Sequence, residues 1–315
     1  MSDRPLRVDE FLERALYAPE DGFYASGRGR AGRRGDFLTS PEVGPLFGAV
    51  LARALEAWWR ELGRPDPFTV VEAGAGVGTL ARSVLAASPG VPLRYVAVER
   101  AAPLREQHPE GVKSLEDLPE GPVLGVVVAN ELLDNLPFRL LDPEGEVHVD
   151  EQGGEVLLAS ELALPRHGRV PAQEEAGRWL RRALGCLERG RVLLFDYGST
   201  TAELEHRDWR SWVRTYQGHQ RGGHPFAEPG SQDVTCEVAW DQLSAVATPA
   251  RRRTQRAFLE AWGIDGLVAE GRRDWQARAH LGDLAALRAR SRVREAEALL
   301  DPTGLGAFDA VEWEV

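Results

Sequence analysis

The fold class is most evident in the segment Val70-Val71-Glu72-Ala73-Gly74-Ala75-Gly76-Val77-Gly78-Thr79-Leu80. An apolar run leads into three glycines at alternate positions, and the residues from Thr79 onward open a helix. Glycines let the backbone turn tightly and approach a ligand where a Cβ atom would clash, and a helix start offers unpaired N–H groups. We therefore predict a strand, a ligand-binding turn and a helix, with cofactor contacts at Glu72, Gly74, Ala75, Gly76 and Gly78.

The spacing of the glycines limits which ligand the turn can hold. A dinucleotide-binding turn has the pattern G-x-G-x-x-G, whereas here the third glycine is Gly78 and position 79 is threonine. No Gly-Lys-Ser/Thr follows, so a phosphate-binding P-loop is excluded. A purely structural glycine turn stays open as an alternative. The pattern favours a nucleoside-type ligand without a pyrophosphate over a nicotinamide dinucleotide.

Strand and helix patterns alternate on both sides of this turn. Short apolar runs bounded by turn residues are typical of parallel strands that are covered on both faces. The predicted strands are Phe68–Ala73, Leu93–Val98, 112–114, 123–129 and 191–196. This alternation predicts an α/β fold with a mostly parallel, Rossmann-like sheet and helices on both faces.

Two acids outside the glycine turn are candidate cofactor ligands. Glu99 ends the second predicted strand, where a carboxylate can accept hydrogen bonds from both hydroxyls of a ribose. Leu115 and Glu116 follow the third short strand, where they could bracket an adenine ring. A surface position is the alternative for Glu99. Together with the turn, Glu99 favours a nucleoside site.

The rest of the chain divides into three predicted segments. Residues 1–64 form an N-terminal helical extension, with helices at Val8–Tyr17 and 45–62 around a mobile Gly/Arg-rich loop at 26–35. Residues 65–200 form the core, with an antiparallel insertion at 138–160 built from strands at 138–141, 146–149 and 155–159. Residues 201–315 hold a long polar and aromatic loop after Tyr197, helices at 254–262 and 275–300, and a run at 307–315 that returns to the sheet edge.

Composition excludes several functional classes. The 315 residues carry a net charge of −11, which repels phosphate backbones, and the basic run Arg251-Arg252-Arg253 is interpreted as a solvated helix start. We therefore expect no nucleic-acid partner. The two cysteines, Cys186 and Cys236, fit neither a disulfide framework nor a metal site. Since neither a secretory signal nor a membrane-spanning run is present, we expect a cytoplasmic protein with no membrane partner.

Several motifs together resemble one family, the MidA-type class I methyltransferases that use S-adenosylmethionine (SAM). This family includes a mitochondrial complex I assembly factor that methylates protein arginine. The motifs cover nearly the whole chain, and they are Tyr17-Ala18-Pro19-Glu20-Asp21-Gly22-Phe23-Tyr24, Gly35-Asp36-Phe37-Leu38-Thr39-Ser40-Pro41-Glu42-Val43, the glycine turn, Asn130-Glu131-Leu132-Leu133-Asp134-Asn135-Leu136-Pro137, Asp196-Tyr197-Gly198, Arg214-Thr215-Tyr216 with His219, Asp233-Val234-Thr235, and Thr254-Gln255-Arg256-Ala257-Phe258-Leu259.

The chain departs from the family pattern at two places. Glu237 and Ala239 stand where many members carry histidine and an acidic or amide residue, and Trp212-Val213 replace a usual Gly-Thr. These departures bear on the identity of the substrate more than on cofactor binding. The resemblance implies SAM as cofactor and a protein substrate, with arginine as the favoured acceptor. A monomer and a homodimer both stay open, as does a SAM-binding assembly protein with little turnover.

The predicted catalytic residues follow strand ends or lie in the long loop. Asn130 and Glu131 come directly after the fourth strand, at the sheet edge where ligands bind, and a helical turn would place Asp134 on the side of Glu131. Helix capping is the alternative for both acids. His219 is a candidate general base, with a solvated loop histidine as its alternative.

The segment before the second helix is predicted to close over the cofactor. The resemblance favours an active-site lid there, with cofactor contacts at Thr39, Ser40, Pro41 and Glu42. Asp36 and Glu42 flank this turn. Asn130, at the end of the fourth strand, is predicted as a further cofactor contact. The alternative is that Ser40 and Pro41 merely start the helix that follows.

Overall fold

The structure is a computed structural model that describes residues 4–24, 39–88, 90–217 and 220–315. The strands are, in chain order, β1 (Leu6–Arg7), β2 (Phe68–Ala73), β3 (Leu93–Val98), β4 (Lys113–Leu115), β5 (Val123–Asn130), β6 (Arg139–Asp142), β7 (Gly145–Val149), β8 (Glu155–Leu158), β9 (Val170–Ala172), β10 (Leu187–Asp196), β11 (Gly198–Ser199), β12 (Val213–Gln217), β13 (Gln220–Arg221), β14 (Asp233–Cys236), β15 (Val238–Ala239), β16 (Arg251–Thr254) and β17 (Asp309–Glu314).

The helices alternate with these strands. They are α1 (Val8–Tyr17), α2 (Ser40–Val43), α3 (Pro45–Glu61), α4 (Thr79–Ala87), α5 (Ala102–Arg105), α6 (Glu174–Gly185), α7 (Thr201–Glu205), α8 (Trp209–Trp212), α9 (Trp240–Val246), α10 (Gln255–Ala261), α11 (Ile264–Arg278) and α12 (Leu284–Leu299), with 3₁₀ turns at Leu133–Asn135, Ala279–Leu281 and Leu305–Ala307. None of the helices in the described ranges is long and apolar enough to cross a membrane.

A seven-stranded sheet forms the centre of the molecule, in the order β16-β17-β10-β5-β2-β3-β4. The strands from β10 to β4 pair in parallel, and β17 pairs antiparallel to both β10 and β16. The α/β fold class with a mostly parallel sheet is therefore confirmed. The carboxyl ends of β2, β3, β5 and β10 lie together at one end of the strands, and the candidate site residues of the sequence analysis follow these ends.

Alternate residues of each central strand supply two separate cores. Phe68 and Val70 of β2 face a core shared with α3, α4, α10, α11 and α12. Val71 and Ala73 face the opposite core, which includes α6 and α9. Because both faces are covered, the strands appear in sequence as continuous apolar runs. All three predicted segments of the chain contribute residues to these cores.

A third core lies beside the central sheet. The predicted insertion strands are present as β6, β7 and β8, and they join β1 and β9 in a five-stranded sheet. Helix α1 packs on this sheet through Val8, Phe11, Leu12 and Ala15, together with residues of β12 and β14. The insertion thus holds the N-terminal helix at the side of the central sheet.

Three predictions in the C-terminal third were wrong. The long loop predicted after Tyr197 contains α7 to α9 and a three-stranded sheet of β12, β13 and β14. Arg251 to Arg253 form strand β16 instead of a helix start, because they pair antiparallel with β17, where Arg252 and Arg253 also form ion pairs with Asp309 and Glu312. Strand β17 consequently lies inside the sheet and not at its edge.

The single helix predicted at 275–300 is also wrong. Helix α11 ends before Gly282, which has a left-handed φ of 58°. Asp283 then caps α12 by accepting a hydrogen bond from the Ala286 amide at 2.8 Å. A glycine followed by an N-capping aspartate ends one helix and starts the next.

The close pairing of β5 with β2 gives a testable expectation. A Cβ atom on Gly125 would lie 1.8 Å from the backbone oxygen of Thr69. We expect Gly125→Ala to lower the free energy of unfolding by about 3 kcal/mol, as overpacking does. Gly185→Ala at the end of α6 meets no atom within 4 Å and should be neutral or stabilising. Denaturant unfolding of both variants measures this, and equal stabilities would contradict the strand register.

Candidate active site

The glycine turn lies between β2 and α4 in a left-handed backbone conformation. Gly74, Gly76 and Gly78 have φ values of 69°, 53° and 80°. The turn is fixed to β3, because the Ala75 amide donates to the backbone oxygen of Val98 at 3.0 Å. A Cβ atom on Gly76 would meet nothing within 4 Å, so the turn borders open space at this position.

Glu99 follows β3 and is bonded directly to the glycine turn. Its carboxylate accepts hydrogen bonds from the amides of Gly76 at 3.0 Å and Ala101 at 2.9 Å. Burial raises the pKa of Glu99 above its ordinary value. A carboxylate has about four lone-pair sites, so Glu99 keeps acceptor capacity for a hydroxyl of a ribose.

Glu131 directly follows β5, at the sharp turn where this strand ends; we call this turn the Glu131 corner. Its φ of 51° is unusual for a residue with a side chain, and such backbone strain is concentrated at functional sites. The carboxylate accepts hydrogen bonds from the Asn130 side-chain amide at 2.9 Å and the Ser40 backbone amide at 3.3 Å. Burial, together with the negative charge of Asp134, raises the pKa of Glu131 to about 8. The side-chain oxygen of Asn130 is buried without a hydrogen-bond partner in the described part of the chain.

Asp134 lies behind this corner and does not line the cavity. The segment turns as a 3₁₀ helix after the left-handed Glu131, so the expected α-helical spacing does not hold. The Asp134 side chain is 4% exposed and accepts a hydrogen bond from the Tyr197 hydroxyl at 2.8 Å. Its pKa is well above the ordinary value because of burial and the charge of Asp196.

Asp196 performs the capping role that was the alternative for Glu131 and Asp134. Its carboxylate accepts hydrogen bonds from the amides of Leu133 at 3.0 Å and Asp134 at 3.3 Å. Burial first, and then the charge of Glu131, raises its pKa to about 8. Asp196 therefore holds the turn that carries Glu131, a function that the sequence analysis did not assign to it.

The segment at Thr39 to Glu42 reaches the same site. Thr39, Pro41 and Glu42 line the cavity. Ser40 does not, because its hydroxyl donates to Gln255 at 2.9 Å while its amide contacts Glu131. Asp36 and His219 lie outside the described residues, so their predicted roles stay predictions.

The remaining predicted cofactor residues differ in placement. Glu72 lines the cavity and accepts a hydrogen bond from the Tyr95 hydroxyl at 2.8 Å; burial raises its pKa to about 8. The side chain of Glu116 is 74% exposed at the rim, 3.5 Å from Arg105. Gly78 packs against Pro109 and does not border the cavity.

One cavity of about 690 Å³ is bordered by the glycine turn from Gly74 to Gly76, by Glu99, by Asn130 and Glu131, and by Thr39, Pro41 and Glu42. The described residues that line it include eleven carboxylates and four arginines. Sequence reasoning missed the walls that α1, the turn after it and α6 provide, namely Asp9, Glu10, Glu13, Tyr17, Tyr24, Glu174, Glu175, Arg178, Trp179 and Arg182. Only the motif from Tyr17 to Tyr24 gave a signal for part of them. In the described ranges, no group of three or more His, Cys, Asp or Glu residues is placed to hold a metal ion.

This fold and site define a class I SAM-dependent methyltransferase. The profile of a family described as "Putative S-adenosyl-L-methionine-dependent methyltransferase" matches residues 50–257. A candidate methyl transferase from Burkholderia thailandensis, solved bound to S-adenosyl-homocysteine, superposes with a TM-score of 0.83. It is 28% identical, covering 99% of this chain and 88% of its own.

Curated relatives point to the same family. Protein arginine methyltransferase NDUFAF7 of Rattus norvegicus is 36% identical over 327 residues, covering 84% of this chain and 72% of the relative. The Drosophila melanogaster homologue is 28% identical over 305 residues, covering 78% and 68%. The chain belongs to this MidA-type methyltransferase family, and its cofactor is SAM. Open space at Gly76, the remaining acceptor capacity of Glu99 and the unpaired oxygen of Asn130 fit that cofactor.

Cofactor binding at the glycine turn is testable with a matched pair of variants. Gly76→Val would force a branched side chain into a left-handed position and into the cavity, so SAM affinity should fall at least about tenfold. Gly111→Val carries the same strain at a φ of 82°, also meets no atom within 4 Å, and lies outside the cavity lining. Calorimetric titration should give near-native SAM affinity for Gly111→Val. Equal losses in both variants would contradict the site.

The raised pKa of Glu131 predicts a pH dependence of stability. A carboxyl group whose pKa is about 8 in the folded state and 4.5 otherwise binds more protons when folded, so stability falls as the pH rises through this interval. Between pH 6 and 9, the native protein should lose about 2–3 kcal/mol of unfolding free energy relative to Glu131→Gln. Glu188→Gln, at an exposed acid on β10, serves as the control. Parallel pH profiles for the native protein and Glu131→Gln would refute the shift.

Proposed function

We propose that this protein transfers a methyl group from SAM to a guanidino nitrogen of arginine in a protein substrate. Glu131 supports this proposal most strongly, because it is a strained, partly buried acid with a raised pKa at the cavity end of β5. The excess of carboxylates in the cavity favours a cationic acceptor. The rat and fly relatives are named as protein arginine methyltransferases, which supports arginine.

The cofactor supplies an electrophilic methyl group on a sulfonium sulfur. In the proposed reaction, a guanidino nitrogen forms a bond to the methyl carbon, the carbon–sulfur bond breaks, and its electron pair stays on sulfur. The nitrogen then gives up one proton, and the ionised Glu131 carboxylate receives it. A bound cationic acceptor favours this ionised form, since a nearby positive charge lowers the pKa of a carboxyl group.

Neighbouring residues hold Glu131 in place for this role. The Asn130 side-chain amide and the Ser40 backbone amide bond its carboxylate, and Asp196 fixes the turn that follows. In-line displacement depends mainly on alignment, so this support keeps the proton acceptor in position. Asp134, which is buried and hydrogen-bonded to Tyr197, supports the turn after Glu131 and does not contact the acceptor.

The proposal is tested with methyl-labelled SAM and a lysate of the host cell. We expect a labelled protein that yields methylarginine on hydrolysis. Glu131→Gln should lower the rate about 100-fold, while SAM affinity stays within about threefold, because the proton acceptor is lost but the cofactor turn is not. Glu188→Gln should match the native rate.

Three results decide between the proposal and its alternatives. Label on lysine, or on a small molecule alone, would contradict arginine as the acceptor. SAM binding with no label in any fraction would favour an assembly protein with little turnover. A native rate in Glu131→Gln would remove Glu131 from the reaction.

A further inference from the structure

Two tyrosines form an aromatic wall in the cavity that the proposed reaction has not used. Tyr17 is the last residue of α1, and Tyr24 follows seven positions later. Their rings stack with centroids 5.5 Å apart and an interplanar angle of 17°. Both line the cavity that contains Glu131. We call Tyr17 and Tyr24 the tyrosine wall.

Hydrogen bonds attach the tyrosine wall to the segment that follows Glu131. The Tyr24 hydroxyl donates to the Asp233 carboxylate at 3.0 Å, and this carboxylate also accepts from the Asn135 side-chain amide at 3.0 Å. The Tyr17 hydroxyl donates to the backbone oxygen of Asn135 at 3.1 Å. Asn135 lies four residues after Glu131, so the wall and the proton acceptor share one support.

The two phenols stay neutral in this position. Burial, followed by the charge of Asp233, raises the pKa of both Tyr17 and Tyr24 far above their ordinary value. They therefore remain hydrogen-bond donors at any physiological pH. Both tyrosines line a cavity rich in carboxylates, an environment that attracts cations.

The wall already binds one guanidinium group of the chain itself. The Arg100 guanidinium lies over the Tyr17 ring, 4.3 Å from its centroid, and is ion-paired with Glu13 at 2.6 Å. A planar guanidinium stacks on an aromatic face, whereas a lysine ammonium is a compact and strongly hydrated charge. The tyrosine wall is thus suited to an arginine side chain.

We propose that the tyrosine wall is the specificity element of the acceptor subsite, where the guanidinium of the substrate arginine stacks on Tyr24. This inference rests on the proposed function and adds the reason for choosing arginine over lysine. Tyr24 is a binding residue in this account, and Asp233 and Asn135 are positioning residues.

The experiment measures peptide binding without turnover. The protein is loaded with S-adenosyl-homocysteine, and three glycine-flanked peptides carrying arginine, lysine or citrulline are titrated by calorimetry. The native protein should bind the arginine peptide most tightly. Tyr24→Leu should weaken arginine binding about tenfold and remove the preference over lysine, because the aromatic face is gone. Its affinity for S-adenosyl-homocysteine should stay within about twofold.

Two further variants make the result specific. Tyr24→Phe keeps the ring and loses only the hydroxyl, so it should keep the preference for arginine and weaken binding about threefold. Trp275→Leu removes an aromatic ring that also has an arginine over it, that of Arg290 at 5.3 Å, but lies outside this cavity. It should bind the peptides as the native protein does.

Several outcomes would overturn the proposal. These are equal binding of the three peptides or no binding by the native protein, an unchanged arginine preference in Tyr24→Leu, and loss of that preference in Tyr24→Phe. A fall in S-adenosyl-homocysteine affinity alone would assign the wall to the cofactor. Labelled methylarginine formed equally fast by Tyr24→Leu would refute the wall and keep the proposed function. Failure of the proposed function instead shows as the absence of methylarginine from the native protein's products.

Discussion

The parallel pairing of β2 between β3 and β5 is the constraint on which the site depends. This pairing places the glycine turn after β2 between Glu99, which follows β3, and Asn130 with Glu131, which end and follow β5. Because parallel strands end at the same edge of a sheet, three groups far apart in the chain meet there. The rest of the molecule, from the two apolar cores to the added five-stranded sheet, fixes or encloses this edge.

The second determining feature is a group of buried acids whose pKa values are raised above those of ordinary carboxyl groups. Glu131, Asp134 and Asp196 lie within two neighbouring segments, and each has a raised pKa because burial and like charges disfavour ionisation. An apolar protein interior would be cheaper to build with uncharged side chains. Burying these acids is unfavourable on its own, but a sulfonium cofactor and a cationic acceptor would each bring positive charge that stabilises their carboxylates.

Sequence patterns predicted the central strands because each one is buried on both faces. Phe68–Ala73 and Leu93–Val98 were predicted with the boundaries that the structure has. The glycine turn and Glu99 could also be predicted from the sequence, because residue type and spacing define them. Patterns failed where tertiary contacts decide the structure. The run Arg251 to Arg253 has a polar sequence, but antiparallel pairing with β17 makes it a strand.

The placement of individual site residues was harder to predict. Asp134 turns inward because Glu131 adopts a left-handed conformation, which no spacing rule reveals. The walls from α1 and α6 come from segments distant in sequence, so only the tyrosine motif pointed to them. Asp196 was recognised as part of a motif, but its role as the support of the Glu131 corner needed the hydrogen bonds.

We infer that SAM binds where the parallel strands end, through the glycine turn and the Glu131 corner. Hydrogen–deuterium exchange with and without SAM tests it directly across the whole chain. We expect added protection on the backbone amides of residues 74–79, 99–101 and 130–136, with the α11–α12 pair unchanged. Protection concentrated on α11 and α12, with the glycine turn unaffected, would contradict it.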